Sequence, residues 1–296
     1  HDYAPTIESM PKSLLKNVQV WVPKNEYTNY KRSPIFKGLD IECWPSYVDC
    51  IPKKRRYLYE NVIGSYMALD DDLKLMVWDN KKKNFSPALD DPEKFERGLE
   101  LSYAHLMSGV TNVGIANTFM TSMKINDKKT FEFNDVPFCF AGFSKDRPKI
   151  KFNTFFFTDI AMPMQIMKAK RKVLTTAYCA YSMRSNKKLA ATGTTPYRTP
   201  EVIKYSAVSL AQQMRGHVTG LKETGNLGGG WSLKKTFQKP NVSKADEFLR
   251  EFAAQEGLKA LPPLVDLDLR TSMDELFRIY SKNWEAAKKG KGNPIP

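Results

Sequence analysis

Positive charge in this chain comes in short clusters that run straight into aromatic residues, and that interleaving constrains the fold more than any other feature. Lys53-Lys54-Arg55-Arg56 leads into Tyr57 and Tyr59, Lys81 to Lys83 precedes Phe85, and Lys168, Lys170, Arg171 and Lys172 precede Tyr178 and Tyr181. A polyanion-binding tail is normally one dense low-complexity block. Here 46 Lys+Arg against 32 Asp+Glu, a net charge of +14, are dispersed through segments with the apolar content of a folded core, 42% hydrophobic over 296 residues. The chain is therefore expected to fold as two lobes or one large domain, with its excess cations on the surface. So basic a surface repels its own copies until a polyanion neutralises it, and nucleic acid is the first candidate. Cations hold phosphates regardless of base sequence, while aromatic faces stack on unpaired bases at ~1–3 kcal/mol each, so the mixture suits single strands.

Proline and glycine divide the chain. Pro5, Pro11, Pro23, Pro34, Pro45 and Pro52 exclude long helices from residues 1–56, which read as an N-terminal arm or irregular subdomain with a short strand at Val18 to Val22. Asp91-Pro92-Glu93 opens a helix expected over 92–108, with the proline in its first turn. Phe131/Phe133 and Phe138/Phe140 alternate, which predicts a β-hairpin turning around Ser144-Lys145-Asp146-Arg147-Pro148. Further helices are expected at 159–184, 200–216, 243–256 and 272–288, the third with Ser243 as a capping-box N-cap and the last opened by Thr271 or Ser272. Gly225 to Gly230 reads as a hinge, and Pro262-Pro263 as a break before a terminal linker and helix. The pattern predicts a mainly α protein: a two-lobed helical core with a short β-hairpin and extended N- and C-terminal arms. Its expected divisions are 1–56, an N-lobe at 57–158, a C-lobe at 159–262, and a linker with an arm helix at 263–296.

Enzymatic signatures are missing. Gly225 to Gly230 lacks the Lys-Ser/Thr of a P-loop, and no Gly-x-Ser-x-Gly or His-Glu-x-x-His occurs. Cys43, Cys50, Cys139 and Cys179 form no Cys-x-x-Cys pair, and the histidines are scattered, so no structural metal or other cofactor is expected and the compartment reads as reducing. Carboxylates cluster at Asp70-Asp71-Asp72, Asp90-Asp91 and Asp266/Asp268, which keeps a metal-dependent nuclease as a minor alternative. No apolar run approaches the length of a membrane span.

The expected RNA-binding residues are Lys53, Lys54, Arg55 and Arg56, then Lys168, Arg171 and Lys172, and beyond them Arg184, Lys187, Lys188 and Arg198, with Tyr178 and Tyr181 supplying rings. On a helix over 159–184, Lys168, Arg171 and Lys172 would share one face, a geometrically simple phosphate track. Asn134-Asp135-Val136-Pro137-Phe138-Cys139-Phe140-Ala141 resembles the Asn-Val-Val-Ser-Phe motif of the nucleocapsid proteins of plant emaraviruses, and Asn186-Lys187-Lys188-Leu189-Ala190 resembles their Asn-Arg-Leu-Ala motif. Gly230-Trp231 through Phe248-Leu249 is similar to the end of orthobunyavirus nucleoproteins. These resemblances imply a helical two-lobed core, RNA in a basic cleft, and arms that dock on adjacent protomers. The expected function is a nucleocapsid or coat protein of virion and host cytoplasm that coats single-stranded RNA, polymerises through its terminal arms and meets a viral polymerase. A basic matrix or movement protein, binding membranes or proteins instead, is the alternative.

Overall fold

The computed structural model describes residues 4–118, 132–133, 139–183, 199–223, 231–237 and 239–296. The fold is mixed α/β, which corrects the mainly α expectation. The chain divides into two compact units, residues 1–49, 59–149 and 166–184 in the first and 50–58, 150–165 and 185–296 in the second.

The first unit is built on a curled sheet of six strands in the order β3-β8-β6-β9-β4-β5, formed by β3 (Tyr66–Leu69), β4 (Leu73–Asp79), β5 (Asn84–Pro87), β6 (Asn112–Asn117), β8 (Phe140–Phe143) and β9 (Val173–Met183). A short β7 (Glu132–Phe133) also pairs with β9. β6 and β9 run parallel and the other pairs antiparallel. Helix α5 (Pro92–Met107), capped by Asp91 as its sequence predicts, packs on β9. The close approach depends on Gly98, where a Cβ would stand 2.7 Å from the Tyr178 carbonyl oxygen. It sits where β9 bulges, since Ile115 pairs with Thr176 but Ala116 pairs with Ala180. Beneath lie Leu73, Leu75, Val77, Phe95, Ile115, Phe140, Cys179 and Tyr181, a dry core that stabilises through apolar burial.

Two expected elements differ. The helix over 159–184 stops early: α6 is Thr158–Lys168, Lys170 takes a left-handed φ of 57°, and β9 begins at Val173. The β-branched Val173, Thr175 and Thr176 lose rotamer freedom in a helix and fit a pleated surface. The hairpin around 144–148 is replaced by β8 alone, whose partners β3 and β6 come from distant sequence. Phe131 and Phe138 lie outside the described residues.

Among the described residues neither terminal segment is an extended arm. Prolines keep the N-terminal elements short, as α1 (Pro5–Glu8), α2 (Lys12–Leu15), β1 (Gln19–Val22), α3 (Tyr27–Arg32) and β2 (Asp40–Cys43), with β1 and β2 pairing in parallel. They are fastened to β4: the Leu73 and Leu75 amides donate to Thr6 Oγ1 (2.9 Å) and Ser9 Oγ (3.0 Å).

The second unit holds most of α4 (Ile51–Asn61), then α7 (Pro200–Gln213), a hairpin of β10 (Val218–Glu223) and β11 (Trp231–Lys235), α8 (Val242–Gln255) and α9 (Met273–Lys288). Its core is aromatic: Tyr205 stacks on Tyr280 at 4.1 Å, and Phe252 meets Trp284 edge-on at 6.0 Å. The C-terminal residues close on their own unit. Leu261 and Asn293 exchange two backbone hydrogen bonds of 2.8 Å, and Arg250 donates to the Pro296 carbonyl at 3.1 Å.

Candidate polyanion-binding end of the sheet

Strand register lines up one end of the first unit's sheet. Tyr66 pairs with Phe143, Phe143 with Asn112, and Asn112 with Val173, so the loops beyond these four residues lie side by side. Backbone bonds tie them in sequence. The Lys145 amide donates to Ser65 Oγ (3.0 Å), the Ser144 amide to the Thr111 carbonyl (2.9 Å), and the Thr111 and Asn112 amides to the Lys172 carbonyl (3.0 and 3.3 Å). Asn112, buried in the middle of the row, donates through Nδ2 to the Gly142 carbonyl at 2.8 Å.

Along this row lies a turn made almost entirely of cations: Lys168, Lys170, Arg171 and Lys172 are all exposed, as is Lys145 two strands away, on the loop after β8. The turn is held by its backbone, the Lys170 and Arg171 amides donating to the Met167 and Ile166 carbonyls at 2.9 and 3.1 Å, so the side chains extend from a fixed base. Lys168 also ends α6, where unpaired carbonyls favour a positive charge. Arg147, on the same loop as Lys145, is turned inward and donates to the carbonyls of Tyr59, Val62, Gly64 and Ser144.

Three predicted residues, Lys168, Arg171 and Lys172, are thus brought together, though by a turn and not along a helix face. Lys145 was missed, and no linear signal could find it, because its neighbours are set by the β8–β6–β9 register. Tyr178 is half-buried with its ring parallel to His105 at 6.3 Å, while Tyr181 is 1% exposed and belongs to the core. Burial pushes the Tyr181 hydroxyl well above its ordinary value. Lys53 is also 1% exposed. Lys53 to Arg56 lie in the second unit, where Arg55 donates to Thr158 Oγ1 (3.0 Å), Arg56 pairs with Asp266 (3.0 Å), and Arg56 lies over the Phe152 ring. Lys54 is half-buried on the same helix. Arg184, Lys187, Lys188 and Arg198, the Asn186 to Ala190 motif and all of Asn134 to Phe138 fall outside the described residues.

The carboxylate clusters have local work. Asp91 accepts from the Lys94 amide at the start of α5, Asp266 holds Arg56, and Asp268 accepts from the Arg270 amide at 2.8 Å. Burial first, and then the charges of Asp70 and Asp71, push the Asp72 carboxyl up. Among the described residues no group of three or more His, Cys, Asp or Glu side chains is arranged to hold a metal ion. A recess of about 350 Å³ beside the β4–β5 turn is lined by Trp78, Asp79, Asp90, Asp91, Lys82 and Lys94 among others; there Asp79 accepts from the Lys81 and Lys82 amides. No helix among the described residues is long and apolar enough to cross a membrane. No family model, curated protein or solved structure matches the chain.

Proposed function

We propose that this chain is a nucleocapsid-type protein that binds single-stranded RNA without sequence preference, copies coating the strand side by side in a virion and in host cytoplasm. The observation that carries the reading is the exposed turn Lys168, Lys170, Arg171, Lys172 with Lys145 two strands away at the same end of the sheet, against a single exposed carboxylate, Asp146, on those two loops. Five cations on a fixed backbone present a positive strip that a flexible phosphodiester chain follows at little cost, and a net charge of +14 lowers the repulsion of the whole chain on approach to a polyanion. Phosphate contacts of this kind carry affinity and register without reading bases. The resemblance of Asn134 to Ala141 and Asn186 to Ala190 to emaravirus motifs points the same way.

The test replaces Lys168, Arg171 and Lys172 together by glutamine and follows oligo(U) binding by fluorescence anisotropy across a salt series. Each phosphate contact on a single strand contributes about 0.7 to the slope of log affinity against log salt, so the variant's slope should flatten by roughly 2. A variant with the parent slope removes this end of the sheet from the RNA interface.

A further inference from the structure

The same end of the first unit carries two large apolar side chains in water. Ile63, on the loop that leads into β3, is 95% exposed, and Met107, the last residue of α5, is 68% exposed. Singly exposed apolar residues are common and need no explanation. Two at the same end of the sheet as the cations are a different matter, because the loops that bear them are held. The carbonyls on either side of Ile63, Val62 and Gly64, both accept from Arg147. Beyond Met107 the Ser108, Gly109 and Val110 amides return to the Ala104, Leu106 and His105 carbonyls. The Ile63 and Met107 tips are therefore presented by rigid backbone.

We propose that this end of the first unit docks on an anionic lipid bilayer, with Ile63 and Met107 entering the headgroup boundary while Lys145, Lys168, Lys170, Arg171 and Lys172 meet lipid phosphates and carboxylates. Charge complementarity selects the occupant: a surface negatively charged over its whole area satisfies five cations at once, and it offers hydrocarbon just beneath them. RNA offers the charge but little for an isoleucine or a methionine, which have no ring to stack on a base. The bilayer and RNA compete for the cations, whereas the two apolar tips serve the bilayer alone. The inference thus goes beyond the RNA reading and fails separately from it.

The full chain is sedimented with vesicles of phosphatidylcholine and with vesicles in which part of that lipid is phosphatidylserine, and the same preparations are titrated with oligo(U). Binding is expected only where phosphatidylserine is present, and it should weaken as salt rises. Soluble glycerophosphoserine should not displace it. Replacing Ile63 and Met107 by serine should cut vesicle affinity about tenfold per residue, with an unchanged melting curve and unchanged oligo(U) affinity; Ile63→Trp should bind at least as well and shift its fluorescence to the blue on phosphatidylserine vesicles. Equal binding to pure phosphatidylcholine, vesicle affinity indifferent to the double serine variant, or a parallel loss of oligo(U) affinity each overturns the proposal, the last assigning the two side chains to bases. If the glutamine variant of Lys168, Arg171 and Lys172 loses vesicles but keeps oligo(U) with the parent salt slope, this end of the sheet leaves the RNA interface and the bilayer proposal stands.

Discussion

Arg147→Ala is the substitution whose cost can best be worked out from the geometry, and it bears on the candidate site. The guanidinium donates through Nε to the Tyr59 carbonyl at 2.6 Å, through one terminal nitrogen to Gly64 and Ser144 at 3.1 and 3.0 Å, and through the other to Val62. Its plane lies 5.4 and 5.3 Å from the Tyr59 and Tyr66 ring centres. Four carbonyls from the end of α4, the following loop and the loop after β8 therefore share one cation. A hydrogen bond to a charged group contributes about 1.5–3 kcal/mol, but water reaches the exposed side of this cluster and replaces part of each bond. Taking roughly half a kcal/mol net for each of the four bonds and ~0.5–1 kcal/mol for each ring contact gives a loss near 3–4 kcal/mol. That is a large fraction of the ~5–15 kcal/mol typical of a domain.

Lysine cannot reproduce the fork, so Arg147→Lys should recover less than half of the loss. The assay is urea unfolding of both variants, read by circular dichroism, together with hydrogen exchange of the amides at 62–65 and 144–147, because a two-unit chain need not unfold in one step. Exchange at those amides should accelerate in Arg147→Ala before the global transition. Burial raises the Tyr59 and Tyr66 hydroxyl pKa values and the Arg147 charge opposes the rise, so both should climb further in the alanine variant. A loss below about 1 kcal/mol, or a lysine variant indistinguishable from the parent, would show that the four carbonyls are satisfied without the fork and refute the reasoning.

Cys179 is fully buried, and burial pushes its thiol up to about 12. The protonated form is the folded one, so its contribution to stability is complete below the unfolded thiol's pKa and is lost as pH climbs from there toward about 12; a thiol-exchange reagent near pH 8 should label Cys179 only after denaturation, and labelling at native conditions would contradict this burial. Gly98→Ala gains up to ~1 kcal/mol of helix propensity, yet its Cβ would meet the Tyr178 carbonyl at 2.7 Å and the Cys179 Cβ at 3.1 Å. Overpacking of this kind costs ~1–3 kcal/mol, so the urea midpoint should fall, and a rise would mean that α5 can shift off the bulge of β9 without strain.

Where the sequence spoke through local chemistry, the reading held. Asp91-Pro92 opens α5, which ends one residue short of the expected 108, and Ser272 caps α9 by accepting from the Glu275 amide at 3.2 Å. Caps and first-turn prolines are decided by neighbours three or four residues away, and these are visible in a linear text. Even so, α8 is capped by Asn241, two residues before the expected Ser243, its side chain accepting from the Lys244 amide at 3.0 Å. The stretch 159–184 failed for a different reason. Its second half is a strand on account of partners at 73–76, 112–117 and 132–133, none of which a window over 173–183 can see. The same non-local register brings Lys145 and Lys172 to one end of the sheet, two strands apart, so the basic clusters were legible while their assembly was not. Lys53 reads as one more surface cation in a run of four, yet helix orientation buries it. Charge alone does not say which way a side chain faces.

The sheet also explains how a cationic end persists in a unit that contains carboxylates. Asp70, Asp71 and Asp72 follow β3 at its far end, and β3 begins at the cationic row with Tyr66. At about 3.3 Å per residue, four residues of strand place these acids roughly 13 Å or more from the loops that carry Lys145 and Lys172. The Debye length at physiological salt is about 8 Å, so the acids hardly weaken the field at the opposite end. Burial, and after it the charges of Asp70 and Asp71, raise the Asp72 carboxyl at that far end. Of the carboxylates named here, only Asp146 shares the loops of the cationic row, so the positive field there is opposed from within the row by that one side chain. The two ends of β3 thus hold opposite charges apart, and the positive field at the cationic end follows from that separation.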